Sequence, residues 1–199
     1  MILLDPDLDP GPSPPDAAQS SANRLPSART LSAFVTRAQA AVRLRGQVSV
    51  LLTSDRRIRQ LNRQFRGKNK ATDVLSFPAE QESQRRGPET MAGDLAVSVE
   101  TARKQAAGQG HALAIEIKVL LLHGLLHLAG YNHETDAGEM ARRERLLRAR
   151  LKLPLGLIER TEAKAMADSP RRRPAPAAQK KRTRKPIGRS AQSGRSRRP

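Results

Sequence analysis

Length, composition and charge exclude several classes of protein before any motif is considered. The 199 residues suit one domain with tails and can bury a sizeable core. Because the chain has no cysteine, any bound metal must be held by histidine, carboxylate or backbone oxygen, and no disulfide framework is possible. Four aromatic residues cannot build the stacking platforms of common single-strand RNA-binding modules.

The net charge of +18 is distributed unevenly along the chain. Residues 1–23 carry four Asp and no Lys or Arg, whereas residues 164–199 carry thirteen Lys or Arg and one Asp. The 140 residues between them still carry a net charge of +10, so the body of the protein is itself basic. A basic body favours a polyanionic partner such as nucleic acid, although a compositional bias towards Arg and Ala would also raise the arginine count.

Composition divides the chain into three segments. We expect a flexible, acidic and Pro-rich N-terminal arm over residues 1–23, one folded domain over 24–160 and a disordered basic tail over 164–199. Ile2–Leu4 in the arm could still add a short strand to a sheet. The arm lacks the positive start and apolar run of a secretory signal, and with the absence of cysteine this indicates a cytoplasmic protein.

The first half of the domain predicts a helix, a strand and a second helix. Apolar residues at helical spacing predict a helix over 31–44 that Thr30 caps. Its inner face carries Leu31, Phe34, Val35, Ala38 and Val42. Alternation predicts a strand over 47–53, and Ser54 then caps a helix that ends at Gly67. The inner face of this second helix carries Ile58, Leu61 and Phe65.

The second half predicts two strands and three helices. β-forming residues predict strands over 72–78 and 93–99, separated by a polar loop and followed by a helix over 99–107. Residues 112–129 are strongly apolar, but polar residues interrupt them and their helical length of about 27 Å is too short to span a membrane, so we expect a buried central helix. A last helix should begin at a capping box of Asp136 and Glu139. The elements predict an α+β single domain with a small mixed sheet packed by helices.

Three of the four histidines lie in the segment HGLLHLAGYNH, residues 123–133. In a helix, His123 and His127 are one turn apart and project from the same face. Gly130 permits the left-handed turn that ends a helix, so His133 can return to the same point. Three neutral imidazoles with an open fourth position are typical of catalytic zinc, which predicts one Zn2+ per chain. Two buried histidines and one loop histidine are the structural alternative.

The spacing HxxxHxxGxxH is also that of a class of zinc peptidases, so the predicted site on the central helix is zincin-like. Those enzymes carry a glutamate general base directly after the first histidine, where this chain has Gly124. A metal alone still lowers the pKa of bound water to about 7. Such a site suits a phosphodiester, brought in by a basic surface, better than it suits a peptide.

A second polar cluster lies in LNRQFRGKNKATDVLSFP, residues 61–78. Arg66 presents a planar fork that matches phosphate oxygens, and Lys68 and Lys70 add point charges in the loop after it. Alone, these cations would be explained by their favourable position at the C-terminal end of a helix. Together with a zinc site they become candidates for binding the substrate.

These two segments and GDLAVS, residues 93–98, resemble in content and order the YbeY endoribonucleases of bacteria, over roughly residues 45–155. The resemblance implies zinc on His123, His127 and His133, with Arg66 and His123 in the catalytic machinery. Arg66, Lys68 and Lys70 are then the candidate contacts to the substrate. It further implies maturation of ribosomal RNA, including the 3′ end of the small-subunit RNA, and ribosome quality control. The implied partners are ribosomal RNA, the small ribosomal subunit and ribosome-associated proteins, and not a membrane.

The chain departs from the family pattern at Asn132, where an Asp commonly precedes the last histidine. A carboxylate there would raise the basicity of a ligand, so the metal site could be weaker. Asp73 and Asp94 lie in matched segments and could orient a histidine or carry a proton; we expect them instead to stabilise turns.

Three functions are compatible with these observations. The favoured one is a zinc-dependent endoribonuclease specific for single strands. A metallopeptidase-like hydrolase is disfavoured by Gly124, and a non-catalytic ribosome-assembly factor stabilised by zinc is disfavoured by the open fourth position.

Overall fold

The computed structural model describes residues 1–6, 8, 22–79 and 90–154. In order along the chain, the strands and helices are β1 (Ile2–Leu4), α1 (Ala28–Val42), β2 (Gln47–Thr53), α2 (Asp55–Arg66), β3 (Val74–Pro78), β4 (Met91–Ser98), α3 (Val99–Gln109), α4 (Leu113–Leu128) and α5 (Glu139–Leu151). The predicted basic tail, most of the predicted arm and most of the polar loop between β3 and β4 lie outside the described residues.

The four strands form one mixed sheet in the order β1-β2-β4-β3. β1, β2 and β4 are parallel, and β3 runs antiparallel to β4 at the edge of the sheet. The prediction that Ile2–Leu4 adds a strand is confirmed, because Ile2 pairs with Val50 and the terminal ammonium of Met1 donates to the carbonyl of Val48 at 2.7 Å. The expected flexible arm therefore does not include the first residues of the chain.

Helices cover both faces of the sheet. Because successive strand residues point to opposite sides, neighbouring residues of β4 contribute to two different cores. Leu95 and Val97 of β4 belong to the larger core, which lies under α1 and α4. Ala96, between them, belongs to a smaller core with Ile58 of α2 and Leu75 of β3. A mixed sheet packed by helices around these two cores confirms the predicted α+β class.

Helix α4 is the central element of the larger core. Twelve of its sixteen residues are buried, and it packs against α1, α3, α5, β3 and β4. A helix with apolar residues on all sides must be surrounded by protein, and the observed burial confirms the prediction of a buried central helix. His123 and His127 lie in its last two turns and are therefore held on a rigid element.

No helix in the described ranges is long and apolar enough to cross a membrane alone. Helices α3 and α4 meet the criteria of length and composition only as a pair, and the pair is bent by 112°.

Three details of the helices differ from the predictions. Helix α1 begins earlier, because Ser27 is the cap and accepts a hydrogen bond from the backbone of Thr30 at 3.2 Å. Phe65 is 58% exposed; Asn62 takes the buried position in α2 and donates to the carbonyl of Lys70 at 2.7 Å. The N-cap of α5 is Gly138 rather than Asp136.

Candidate metal centre and active site

The three histidines of residues 123–133 converge at the end of α4. One ring nitrogen from each lies within 4.8 Å of the other two, and Nε2 of His123 and Nε2 of His127 are 3.1 Å apart. Zinc bonds of about 2.1 Å at tetrahedral angles would place two ligand nitrogens about 3.4 Å apart. The spacing of the pair on α4 therefore fits two ligands of one metal ion, with His133 as the third.

The turn after α4 brings His133 back to the helix. Gly130 has a φ of +91°, the left-handed conformation that glycine adopts without strain, and the backbone of Tyr131 donates to the carbonyl of Leu126 at 3.1 Å. The side-chain oxygen of Asn132 accepts a hydrogen bond from the backbone of Glu134 at 3.1 Å. An aspartate would accept the same bond, so Asn132 preserves the turn that carries His133.

Burial keeps His127 in the neutral form that binds metal. His123 is 4% exposed, His127 is half-buried and His133 is exposed. Burial is the main cause that lowers the pKa of His127 to about 4, and the nearby His123 and His133 lower it further. His127 is therefore neutral at pH 7, with a lone pair available for a cation.

A carboxylate that the sequence analysis missed lies behind the first histidine. Nδ1 of His123 is buried without a hydrogen bond in the described structure, and a carboxylate oxygen of Glu144, in α5, lies 3.7 Å from it. A carboxylate beside the second nitrogen of a ligand histidine fixes its tautomer and raises its basicity. The sequence did contain a signal, because Glu144 shares the buried face of α5 with Met140, Leu147 and Leu151.

We expect Glu144→Gln to lower the affinity for zinc by about 10–100-fold, because glutamine keeps the volume but carries no negative charge. Competition with a chromophoric chelator measures this affinity, and circular dichroism checks the fold. Glu139→Gln, at an exposed position of the same helix, is the matched control and should bind zinc like the wild type. Equal affinities for all three proteins would show that Glu144 does not support the ligand.

The histidines open into a pocket of about 470 Å³ beside β3, an edge strand of the described sheet. Alternate residues of the strand, Val74, Ser76 and Pro78, line one side of it, and Arg66, the last residue of α2, lines it as well. The remaining lining residues are Thr72, Asp73, His123, His127, Gly130, Tyr131, Asn132, His133 and Glu134. The sequence segments of the two predicted clusters thus meet in one cavity.

Arg66 and the two lysines occupy different positions relative to this pocket. The charge of Arg66 contributes, after burial and the neighbouring histidines, to the lowered pKa of His127, so it acts on the cluster. Lys68 and Lys70 are exposed and do not line the pocket. The structure therefore brings Arg66, and not the lysines, to the histidines.

Of the two aspartates in the matched segments, only Asp73 lines the pocket. Asp73 accepts hydrogen bonds on both carboxylate oxygens, from the backbone of Val74 and from the side chain of Gln105, each at 2.9 Å. These hydrogen bonds hold the carboxylate in place, as expected of a structural role. Asp94 is exposed and does not line the pocket.

The packing around Gly124 explains why no glutamate follows the first histidine. A Cβ atom at this position would lie 2.8 Å from Leu95 Cδ2 and 3.2 Å from Ser76 Oγ. Helix α4 thus approaches β3 and β4 too closely for a larger residue, and Leu95 is only 1% exposed and cannot move into solvent. The position points towards β3 and β4, and Gly124 is not among the residues that line the pocket.

We expect Gly124→Glu to destabilise the fold by about 2–6 kcal/mol, because it combines overpacking with a buried, unpaired carboxylate, each of which costs about 1–3 kcal/mol. Urea unfolding followed by circular dichroism measures the change. Gly108→Ala, in α3, is the control, because a Cβ there meets no atom within 4 Å and alanine favours a helix by about 1 kcal/mol. A Gly124→Glu protein as stable as the wild type would contradict the packing argument.

The fold and the histidine cluster define a small α+β protein with a candidate three-histidine metal site at the end of a buried helix. The family model described as Endoribonuclease YbeY matches residues 18–152. Among relatives of that name, the protein of Koribacter versatilis is 50% identical over 147 residues, which cover 74% of this chain and 92% of the relative. That of Nautilia profundicola is 49% identical over 115 residues, 58% of this chain and 79% of the relative. The chain belongs to the YbeY endoribonuclease family.

A solved structure is also similar to this chain. The solution structure of TM1509 from Thermotoga maritima is 25% identical, covers 75% of this chain and 96% of its own, and superposes with a TM-score of 0.44.

Proposed function

We propose that this chain is a zinc-dependent endoribonuclease that cuts single-stranded segments of ribosomal RNA precursors in the cytoplasm. The cleavage site would lie at the 3′ end of the small-subunit RNA. The partners of the protein would be the small ribosomal subunit and ribosome-associated proteins, and the protein would have a role in ribosome quality control. One observation carries the proposal: the three-histidine cluster and Arg66 line the same open pocket. Membership of an endoribonuclease family supports RNA cleavage as the reaction.

The three histidines, Arg66 and Glu144 would have different roles in the cleavage of a phosphodiester. A metal held by His123, His127 and His133 would supply an electrophile that stabilises negative charge on the phosphate. Arg66 would bind phosphate oxygens through its planar fork and offset the charge that develops on them. Glu144 would hold the imidazole of His123 in one tautomer, with Nε2 towards the cavity.

Charges outside the pocket would attract the RNA without taking part in the reaction. Lys68 and Lys70 lie on the exposed loop that follows Arg66, and point charges on a flexible stem suit contacts to flanking phosphates. The basic segment 164–199 would add non-specific affinity, because thirteen cations release counterions wherever they meet a polyanion.

The two alternative functions are less consistent with the site. A peptidase of this histidine spacing needs a carboxylate where Gly124 packs against Leu95. A zinc ion that only stabilised the fold would not need an open cavity beside its ligands, since structural sites are closed.

Cleavage assays on two substrate classes test the proposal. Purified protein should cut a single-stranded ribosomal RNA fragment, leave its double-stranded form intact and leave casein intact. Sequencing of ribosomal RNA ends in cells that lack the gene should then show extended 3′ ends of the small-subunit RNA. Cleavage of casein but not RNA would favour the peptidase, and cleavage of neither would favour the assembly factor.

A further inference from the structure

A second groove, distinct from the pocket of the histidines, lies on the same side of the fold as the end of α4. It has a volume of about 1310 Å³ and runs between the end of α1, the start of β4 and the end of α4. Gly130 and Tyr131 line both this groove and the histidine pocket, so the two cavities meet there.

The groove is lined by positive charge. Arg43, Arg45 and Arg143 line it, and no carboxylate is among the described residues of its wall. Arg43 and Arg45 are exposed, whereas Arg143 is anchored, because its Nη2 donates to the carbonyl of Ala41 at 3.0 Å. Three guanidinium groups, with no carboxylate beside them in the described part of the wall, are complementary to a chain of phosphates.

No side chain of Gly130 separates the two cavities at the point where they meet. A Cβ atom added to Gly130 would meet no other atom within 4 Å, so the space above this residue is open. Tyr131, beside it, is half-buried and is the only tyrosine of the chain. A polymer whose reacting phosphate lies at the histidines can therefore leave the pocket over Gly130 and enter the groove.

Arg43 has an unusual backbone conformation for its residue type. It ends α1 with a φ of +68°, in the left-handed region where glycine is the favoured residue. An arginine there keeps its side chain in the groove at the expense of some backbone strain.

We propose that this groove binds the single-stranded RNA that flanks the cleaved phosphate, with Arg43 and Arg45 as contacts to successive phosphates. The inference rests on the proposed function, since it assigns the path of the same substrate. An acidic protein would also complement the charge of the groove. However, the groove meets the histidine pocket at Gly130, and this continuity is needed only by a polymer that is cleaved at the histidines.

A binding experiment with the full-length chain tests the groove separately from catalysis. The variant Arg43→Gly/Arg45→Ala removes both exposed cations, and glycine at 43 suits the left-handed backbone, so the fold should persist. The control Arg29→Ala/Arg37→Ala removes two charges from exposed positions of α1 that do not line the groove. Fluorescence anisotropy of a labelled single-stranded RNA, at several salt concentrations, gives the affinity and its salt dependence.

The groove variant should bind more weakly, and the slope of log affinity against log salt should fall by about 1.4, since each single-strand contact contributes about 0.7. The control should keep the wild-type slope. Equal losses in both variants, or no loss in either, would overturn the proposal. So would a groove variant that binds RNA normally but loses affinity for polyglutamate, because the groove would then bind an acidic protein. Failure of the wild type to cleave this RNA would count against the proposed function alone.

Discussion

Arg66→Ala should lower the rate of RNA cleavage by about a hundredfold or more while the zinc content and the fold stay unchanged. This is the scale observed when one preorganised donor to a developing oxyanion is removed. Arg66 lines the pocket of the histidines but has no lone pair to offer a metal at neutral pH, so its loss should affect the reaction and not the metal. Single-turnover cleavage by metal-loaded protein, with elemental analysis of the same samples, measures both quantities.

Two further variants test whether the loss of cleavage is specific to the guanidinium group of Arg66. Arg66→Lys should recover only part of the rate, because a point charge cannot reproduce the bidentate fork. Arg63→Ala removes an exposed arginine from the same last turn of α2 that does not line the pocket, and it should cut at nearly the wild-type rate. If Arg66→Ala also cuts at that rate, Arg66 is only a cation at a helix end.

His127→Ala should abolish stoichiometric zinc binding, since it leaves two of three ligands and places an apolar methyl group beside them. Metal that binds only the folded state stabilises it, so zinc should raise the melting temperature of the wild type and not that of the variant. Elemental analysis and thermal unfolding with and without zinc measure the two effects.

The fourth histidine provides the control for this experiment. His111 lies outside the cluster and its Nε2 is 2.5 Å from a carboxylate oxygen of Glu116. His111→Gln keeps a donor for that carboxylate and should retain one zinc per chain. One zinc per chain in His127→Ala would show that the ligand assignment is wrong.

The parts of this structure that the sequence predicted are those set by local periodicity. Apolar residues lie on every side of helix α4, which predicts burial, and the spacing of its two histidines follows from 3.6 residues per turn. Gly130 indicated the turn that returns His133, because a left-handed residue is needed there. Each of these inferences depends on contacts between residues close in the chain.

The parts that the sequence did not predict depend on contacts between distant segments. Phe65 has the spacing of a buried residue, but Asn62 takes that position because Lys70 offers it a backbone acceptor. The proximity of Glu144 to His123 requires the packing of α5 against α4, which no local pattern specifies. The same holds for the separation of Arg66 from Lys68 at the edge of the pocket.

Single-turnover cleavage of a single-stranded ribosomal RNA fragment, by protein stripped with a chelator and then restored with zinc, tests the central claim most directly. The account predicts no cleavage by the stripped wild type, recovery of the full rate with one equivalent of zinc, and no recovery for His127→Ala. Cleavage at the wild-type rate by stripped protein, verified as metal-free by elemental analysis, would contradict it.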